Sequence, residues 1–227
     1  MIRHATFNRN APIFGSSIEE PDVNLIKNTF GLFRASVEDA LRYGGDITRE
    51  AIGAMNIRND KKYVLVDVKV HMLMKGFCPA IPGWHTDGVP RPNMSDTGKG
   101  APDIFLQEEM ESPRFHLLTT GDHCSTLFTN ARQVTLDVPA EPSNRLYADV
   151  NKQMTEHVEA GTYQTFTKPR QVVEFDWWEL HTAQYADKFG WRYLIRVTES
   201  DTMAPLTNLR DILKTQAQVY TPANIGW

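Results

Sequence analysis

Cysteine is scarce in this chain: only Cys78 and Cys124 occur in 227 residues. They form no C-x-x-C pair and are too few for a disulfide framework, which predicts a reducing, cytoplasmic setting. Long hydrophobic runs are missing as well. No apolar stretch approaches the roughly 20 residues that a membrane helix needs, and the opening MIRHATFNRN has no apolar run of the kind that builds a signal peptide. The chain therefore reads as soluble, not exported and without a membrane partner. An excess of positive charge is absent too. With 24 Lys and Arg against 28 Asp and Glu, the net charge of -4 gives no electrostatic footprint for sequence-independent nucleic-acid binding, although it leaves room for a local basic groove. No internal repeat is visible. What is present, 41% hydrophobic and 23% charged residues, is a globular composition long enough for one domain with one active site.

Residues 1–30 show no clear period and carry Asn, Pro and Gly breakers, so an irregular arm is expected there. From Ser36, SVEDALRYGGDITREAIGAM places a capping residue before helix formers and interrupts them at Gly44 and Gly45, with Asp46 able to cap a second helix. Residues 1–60 are thus an arm plus a helical buttress. The clearest strand covers 63–74, with Val64, Val66, Val68, Val70, Met72 and Met74 on one side and Tyr63, Asp67, Lys69 and His71 on the other. RFHLLT and STLFT flank TGDHC in hairpin fashion, and Val134, Leu136 and Val138 alternate in a further strand. Ser143 can cap a helix running to about Ala160, with Gly161 as its stop. QVVEFDWWELH and WRYLIRVT return to strand composition, and NLRDILKTQAQ predicts a terminal helix. The expected architecture is mainly β with flanking helices: a core over 61–200 with a helical insert near 143–160, and a C-terminal extension over 201–227.

His85-Thr86-Asp87 puts an imidazole and a carboxylate two positions apart, which in an extended strand end sends both side chains to one face. His-x-Asp/Glu alone is uninformative, since a chain of this composition yields about one match by chance. The second match, His157-Val158-Glu159, falls in a predicted helix, where positions i and i+2 diverge. His85 instead follows a strong strand through a Pro/Gly turn, and His181 ends another apolar segment. Together with His181 the pair would complete a 2-His-1-carboxylate facial triad, which leaves metal positions open for oxygen chemistry. Eleven residues after His181, Arg192 opens the strand WRYLIRVT. A buried guanidinium there would hold a carboxylate through two parallel hydrogen bonds. Arg196, on the same strand face, is the rival for that role.

This order of residues, with HTAQYADKFGWRYLIR running from a distal His through Gly190 to Arg192 and Tyr193, resembles the Fe(II)/2-oxoglutarate-dependent oxygenase superfamily, in its prolyl-hydroxylase and phytanoyl-hydroxylase branches. The resemblance extends from His85 to about Thr198. It implies a double-stranded β-helix core, a distorted jelly roll, with Fe(II) on His85, Asp87 and His181 and 2-oxoglutarate on Arg192. It also implies a dioxygenase that consumes O2 and 2-oxoglutarate, releases succinate and CO2, and hydroxylates or oxidatively demethylates its substrate. Leu194 departs from the pattern, standing where several branches place a serine that assists the cosubstrate. Asp87 is the carboxylate of hydroxylases rather than the small residue of related halogenases.

Trp84, beside a ligand, and His116, in a strand, are weaker candidates for the pocket; core packing and a hydrogen-bonded structural histidine are the plain alternatives. Gly88 to Asp103 is Pro- and Gly-punctuated and reads as a lid. Two other functions fit the same residues: a non-catalytic jelly-roll binding or structural protein, and a cupin-like metalloenzyme that does not use 2-oxoglutarate. The substrate, whether a small molecule, a protein side chain or a nucleobase, depends on loops outside the motif.

Overall fold

The computed structural model describes residues 1–91, 100–213 and 218–221. Much of the predicted lid and of the terminal helix segment therefore lies outside the described residues. The chain is mainly β, with every strand pairing antiparallel. In chain order the strands are β1 (Ile2–Phe7), β2 (Ile13–Ser17), β3 (Leu32–Ala35), β4 (Tyr63–Leu73), β5 (Arg114–Thr119) and β6 (Thr126–Thr129). They continue as β7 (Val134–Pro139), β8 (Thr165–Thr167), β9 (Gln171–Asp176), β10 (His181–Ala183) and β11 (Gly190–Ser200). Three sheets result, ordered β2-β9-β5-β11-β4-β3, β10-β6-β8 and β1-β7.

The alternation read in residues 63–74 sorts the two faces of β4. Val66 and Val68 pack with Leu118, Tyr193, Ile195 and Val197 against α2 (Val37–Tyr43) and α3 (Gly45–Gly53), through Ala40, Ile47, Ala51 and Ile52. Ser36 caps α2 through its side chain, which accepts from the Asp39 N–H at 3.0 Å. Gly44, not Asp46, takes the cap position of α3, and Asp46 sits in its first turn, where it complements the helix dipole. The opposite face of the large sheet meets the three-stranded sheet through Phe115, Phe128 and Phe175, with Phe128 and Phe175 edge to face at 5.7 Å. Each ring so buried contributes on the order of 1.5–3 kcal/mol. The helix expected near 143–160 is α4 (Leu146–Glu159), whose Leu146, Val150 and Met154 pack on Val134, Leu136 and Val138 of β7.

Three expectations are corrected. The N-terminal arm is not irregular: β1 joins β7 and β2 edges the large sheet. Its period is unreadable because β2 is exposed throughout and β1 buries only Ala5 and Phe7, so backbone pairing rather than an apolar face sets its register. RFHLLT and STLFT do not form a hairpin, since β5 lies in the six-stranded sheet and β6 in the three-stranded one. The chain swings between sheets at Gly121, whose φ of +86 and whose approach of 2.9 Å, from a would-be Cβ to the Trp191 carbonyl, admit only glycine. QVVEFDWWELH is likewise two strands. The Asp176 carboxylate accepts from the Trp178 N–H at 2.8 Å and turns the chain, so that His181 begins β10 instead of ending β9. Of the expected terminal helix, the described residues form the four-residue α5 (Leu209–Ile212); the short α1 (Val23–Lys27) precedes β3.

Asn8 ties the first strand to this turn. It is fully buried at φ +50, its side-chain oxygen accepts from the Leu180 N–H at 2.7 Å, and its amide donates to the Ala131 carbonyl at 2.9 Å. Asparagine is one of the few residues that tolerates this backbone region. Asn8→Ala should cost about 2 to 4 kcal/mol in urea unfolding, because it strands a buried N–H and C=O and strains the backbone. A loss below about 1 kcal/mol would mean that water replaces the side chain.

Candidate metal centre

The centre is built on one reciprocal backbone pair. The His85 N–H donates to the His181 carbonyl and the His181 N–H to the His85 carbonyl, both at 3.0 Å, so the His85 segment adds itself beside β10 as an isolated bridge. Residues directly opposed in an antiparallel pair project to the same face. The two rings accordingly meet at 4.7 Å between centroids. Asp87, two residues on from His85, returns to that face. One donor atom from each of His85, Asp87 and His181 falls within 4.8 Å of the others, and His181 Nε2 lies 3.7 Å from Asp87 Oδ2.

The ring tautomers are set by the backbone. His85 Nδ1 faces the Gly83 carbonyl at 2.8 Å and His181 Nδ1 faces the Glu179 carbonyl at 3.0 Å. A carbonyl only accepts, so each Nδ1 carries a proton, which makes Nε2 the ring nitrogen able to ligate a metal. Burial, reinforced by His181, pushes the His85 imidazole down to about 4, which keeps it neutral at ordinary pH. Burial works against ionisation of Asp87, but the Arg196 guanidinium and both imidazoles outweigh it and hold the carboxyl well below the usual range. Arg196 spans two acids, with Nη1 on Asp87 Oδ2 at 2.7 Å and Nη2 on Asp67 Oδ2 at 3.1 Å. A carboxylate has about four lone-pair sites, so Asp87 can keep Arg196 and still ligate an ion.

These side chains line a cavity of about 120 Å³ that also takes in Lys69, Leu117, Thr126, Arg192 and Leu194. Arg192 is 2% exposed. Its Nε donates to the Cys124 carbonyl at 2.8 Å, and among the described residues no carboxylate pairs with it. Burial pushes its guanidinium below the ordinary arginine value. A buried cation without a counterion is costly, and the opening of its cavity makes a ligand anion the natural partner. Lys69 has solvent access, yet the protein packed around it, followed by the Arg196 charge, pushes its ammonium down as well.

No protein-family model matches the chain, and no curated protein matches it. Among solved structures, it is similar to a novel N-substituted L-amino acid dioxygenase from Burkholderia ambifaria AMMD, at 16% identity and a TM-score of 0.35. The match covers 71% of this chain and spans 61% of the length of that one. So loose a likeness carries no argument about activity, and function has to be argued from the centre itself.

The remaining candidates separate by position. His85, Asp87, His181, Arg192 and Arg196 converge on the cavity. Trp84 does not: it is 5% exposed inside the main core, and its N–H is held by Asn151 Oδ1 at 2.8 Å. His116 lies away from the cavity too. It is fully buried, with Nε2 2.9 Å from Glu199 Oε1 in an ion network that includes Arg114. Residues overlooked in the sequence are Asp67 and Lys69, whose signal was a polar face on a central strand, and Tyr147. From α4, the Tyr147 hydroxyl donates to the Thr86 carbonyl and meets the Thr86 hydroxyl, each at 2.9 Å. With Asn151 on Trp84, this brackets His85 from both sides. Tyr147→Phe should therefore lower Mn(II) affinity about tenfold in calorimetric titration, the scale on which groups behind metal ligands act. Unchanged affinity would show that the His85–His181 backbone pair alone fixes the site.

Proposed function

We propose that this protein is an Fe(II)- and 2-oxoglutarate-dependent dioxygenase that hydroxylates or oxidatively demethylates an organic substrate, with release of succinate and CO2. The observation that carries the reading is the shared cavity: two imidazoles and one carboxylate converge on it, and it is also lined by a buried arginine that has no carboxylate partner among the described residues. The donor set suits ferrous iron and leaves coordination positions for a chelating cosubstrate and oxygen. The strand order also supports a double-stranded β-helix. With β7 set aside, because it pairs with β1 in a sheet of its own, the strands from β4 through the His85 segment, β5, β6, β8, β9 and β10 to β11 distribute over two sheets in the pattern 1-2-1-2-2-1-2-1.

Iron bound here would supply the oxygen-activating chemistry. The chain's own residues position and insulate. His85 and His181 present Nε2 because their Nδ1 protons are spent on carbonyls. Arg196 keeps Asp87 ionised and turned toward the imidazoles. Arg192 offers a planar fork to the distal carboxylate of 2-oxoglutarate, and Thr126, which lines the same cavity from β6 in the other sheet, supplies a hydroxyl where Leu194 cannot. Leu117, Leu194 and Ala183 limit water around the reacting groups.

His85→Ala and Asp87→Ala should each abolish Mn(II) binding, since three ligands tolerate no loss. Arg192→Ala should weaken 2-oxoglutarate about ten- to a hundredfold while leaving metal affinity nearly intact, with Arg192→Lys recovering part of the loss. Turnover is read as O2-dependent succinate and as the gain of one oxygen atom by a candidate substrate. Metal binding without 2-oxoglutarate binding would favour a cupin-like or non-catalytic protein. Affinity for 2-oxoglutarate unchanged in Arg192→Ala but lost in Arg196→Ala would move the clamp to Arg196.

A further inference from the structure

Four ionic groups from two adjacent strands border the cavity: Asp67 and Lys69 from β4, and Arg192 and Arg196 from β11. In the β4–β11 ladder Asp67 stands opposite Arg196, Lys69 opposite Leu194 and His71 opposite Arg192. Lys69 is thus one side-chain repeat, roughly 7 Å, from each neighbouring level. Its position differs from that of Arg192 in depth, because Arg192 is 2% exposed while Lys69 is open to solvent.

The charges around the cavity sort themselves by partner. Arg196 lies between Asp67 and Asp87 and needs nothing further. If the reading above holds, a divalent ion with Asp87 keeps one positive charge for the metal-binding end of 2-oxoglutarate, and Arg192 takes the other carboxylate. Lys69 is left over. Among the described residues it makes no hydrogen bond and no ion pair, although Asp67 and Asp87 lie close enough to influence it. Leu194 stands opposite it in the ladder, and Leu117, Pro79, Ala80 and Ala183 are the other apolar residues of the lining. With the other charged lining groups matched to one another, to the metal or to 2-oxoglutarate, a solvent-reaching cation beside these apolar residues matches a ligand with an apolar body and one anionic group.

Resting on the dioxygenase reading, we propose that the substrate is a small organic acid whose carboxylate is held by Lys69 at the cavity mouth while its apolar part lies over the metal centre. A C–H bond of that part would be replaced by C–OH. One atom of O2 enters the product and the other enters succinate, as 2-oxoglutarate loses CO2. Lys69 is a binding residue in this scheme and does not touch the reacting atoms.

The test uses hexanoate and its uncharged counterpart hexanamide as probes, with binding read by saturation-transfer NMR on Mn(II)-loaded protein saturated with 2-oxoglutarate, which does not turn over. Hexanoate should bind at least about tenfold more tightly than hexanamide. Lys69→Met should remove that preference with little change in 2-oxoglutarate affinity, and Lys69→Arg should retain it. Equal binding of the two probes to the native protein, or a preference that survives in Lys69→Met, overturns the proposal. So does loss of 2-oxoglutarate binding in Lys69→Met, which would make Lys69 the cosubstrate clamp. If the native protein fails to bind 2-oxoglutarate at all, the dioxygenase reading falls alone. The hexanoate preference is then compared in metal-free Arg192→Met and Arg192→Met/Lys69→Met proteins, where a preference lost only in the double variant upholds Lys69 as the anion site and one kept in both overturns it.

Discussion

Two backbone hydrogen bonds between His85 and His181 set the geometry on which the rest of the centre depends. They join chain segments almost a hundred residues apart and make the two histidines direct neighbours across a ladder, so both rings must leave the sheet on the same side. The side-chain contacts then refine what the backbone has already imposed. The Gly83 and Glu179 carbonyls fix the tautomers, α4 steadies Thr86, and Arg196 turns and ionises Asp87. The centre therefore joins one residue of a regular strand, His181, to two residues of an irregular segment, and the bridge is what gives that segment the geometry of a strand at this point.

A second constraint is the distribution of charge inside a sandwich. One face of β4 and β11 carries Asp67, Lys69, Arg192 and Arg196 where a structural sheet would place aliphatic residues. Removing such groups from water is expensive, and a buried ion pair at best roughly offsets that expense. The Asp67–Arg196–Asp87 chain is such an offset. Arg192 has no equivalent among the described residues, and replacing it with an aliphatic residue would relieve the fold of an unpaired buried cation. Its presence is therefore better matched by the anion-binding role proposed above than by a contribution to stability. The opposite face of the same strands shows the contrast, since Val66, Val68, Ile195 and Val197 there pack in an apolar cluster that includes residues of α1, α2 and α3.

Legibility in the sequence followed burial contrast. Strands β4 and β7 could be read because their faces differ in environment, as the alternation of buried and exposed positions in β7 shows. The helices α2 and α4 could be read because capping or an apolar stripe marked them. β2 could not, because an edge strand exposed on both faces leaves no hydrophobic trace and is held by backbone pairing to β9. The split of QVVEFDWWELH was hidden for the opposite reason. Trp177 and Trp178 continue the apolar run through the turn because they are core residues themselves, so only the Asp176 side chain signals that the chain changes sheets.

The same logic explains which parts of the centre a linear reading reached. His85, Asp87, His181 and Arg192 announce themselves by residue type and spacing, whereas Tyr147, Asn151 and Asn8 act through backbone groups that any residue could present. Their targets, the Thr86 carbonyl, the Trp84 N–H and the Leu180 N–H, lie one position from His85, Asp87 or His181. Because successive side chains of a strand alternate in direction, a group that grips the backbone one step from a ligand restrains that ligand without entering its face. The supporting shell is thus kept out of the cavity by strand geometry, and the cavity face is left to the groups that would meet a ligand.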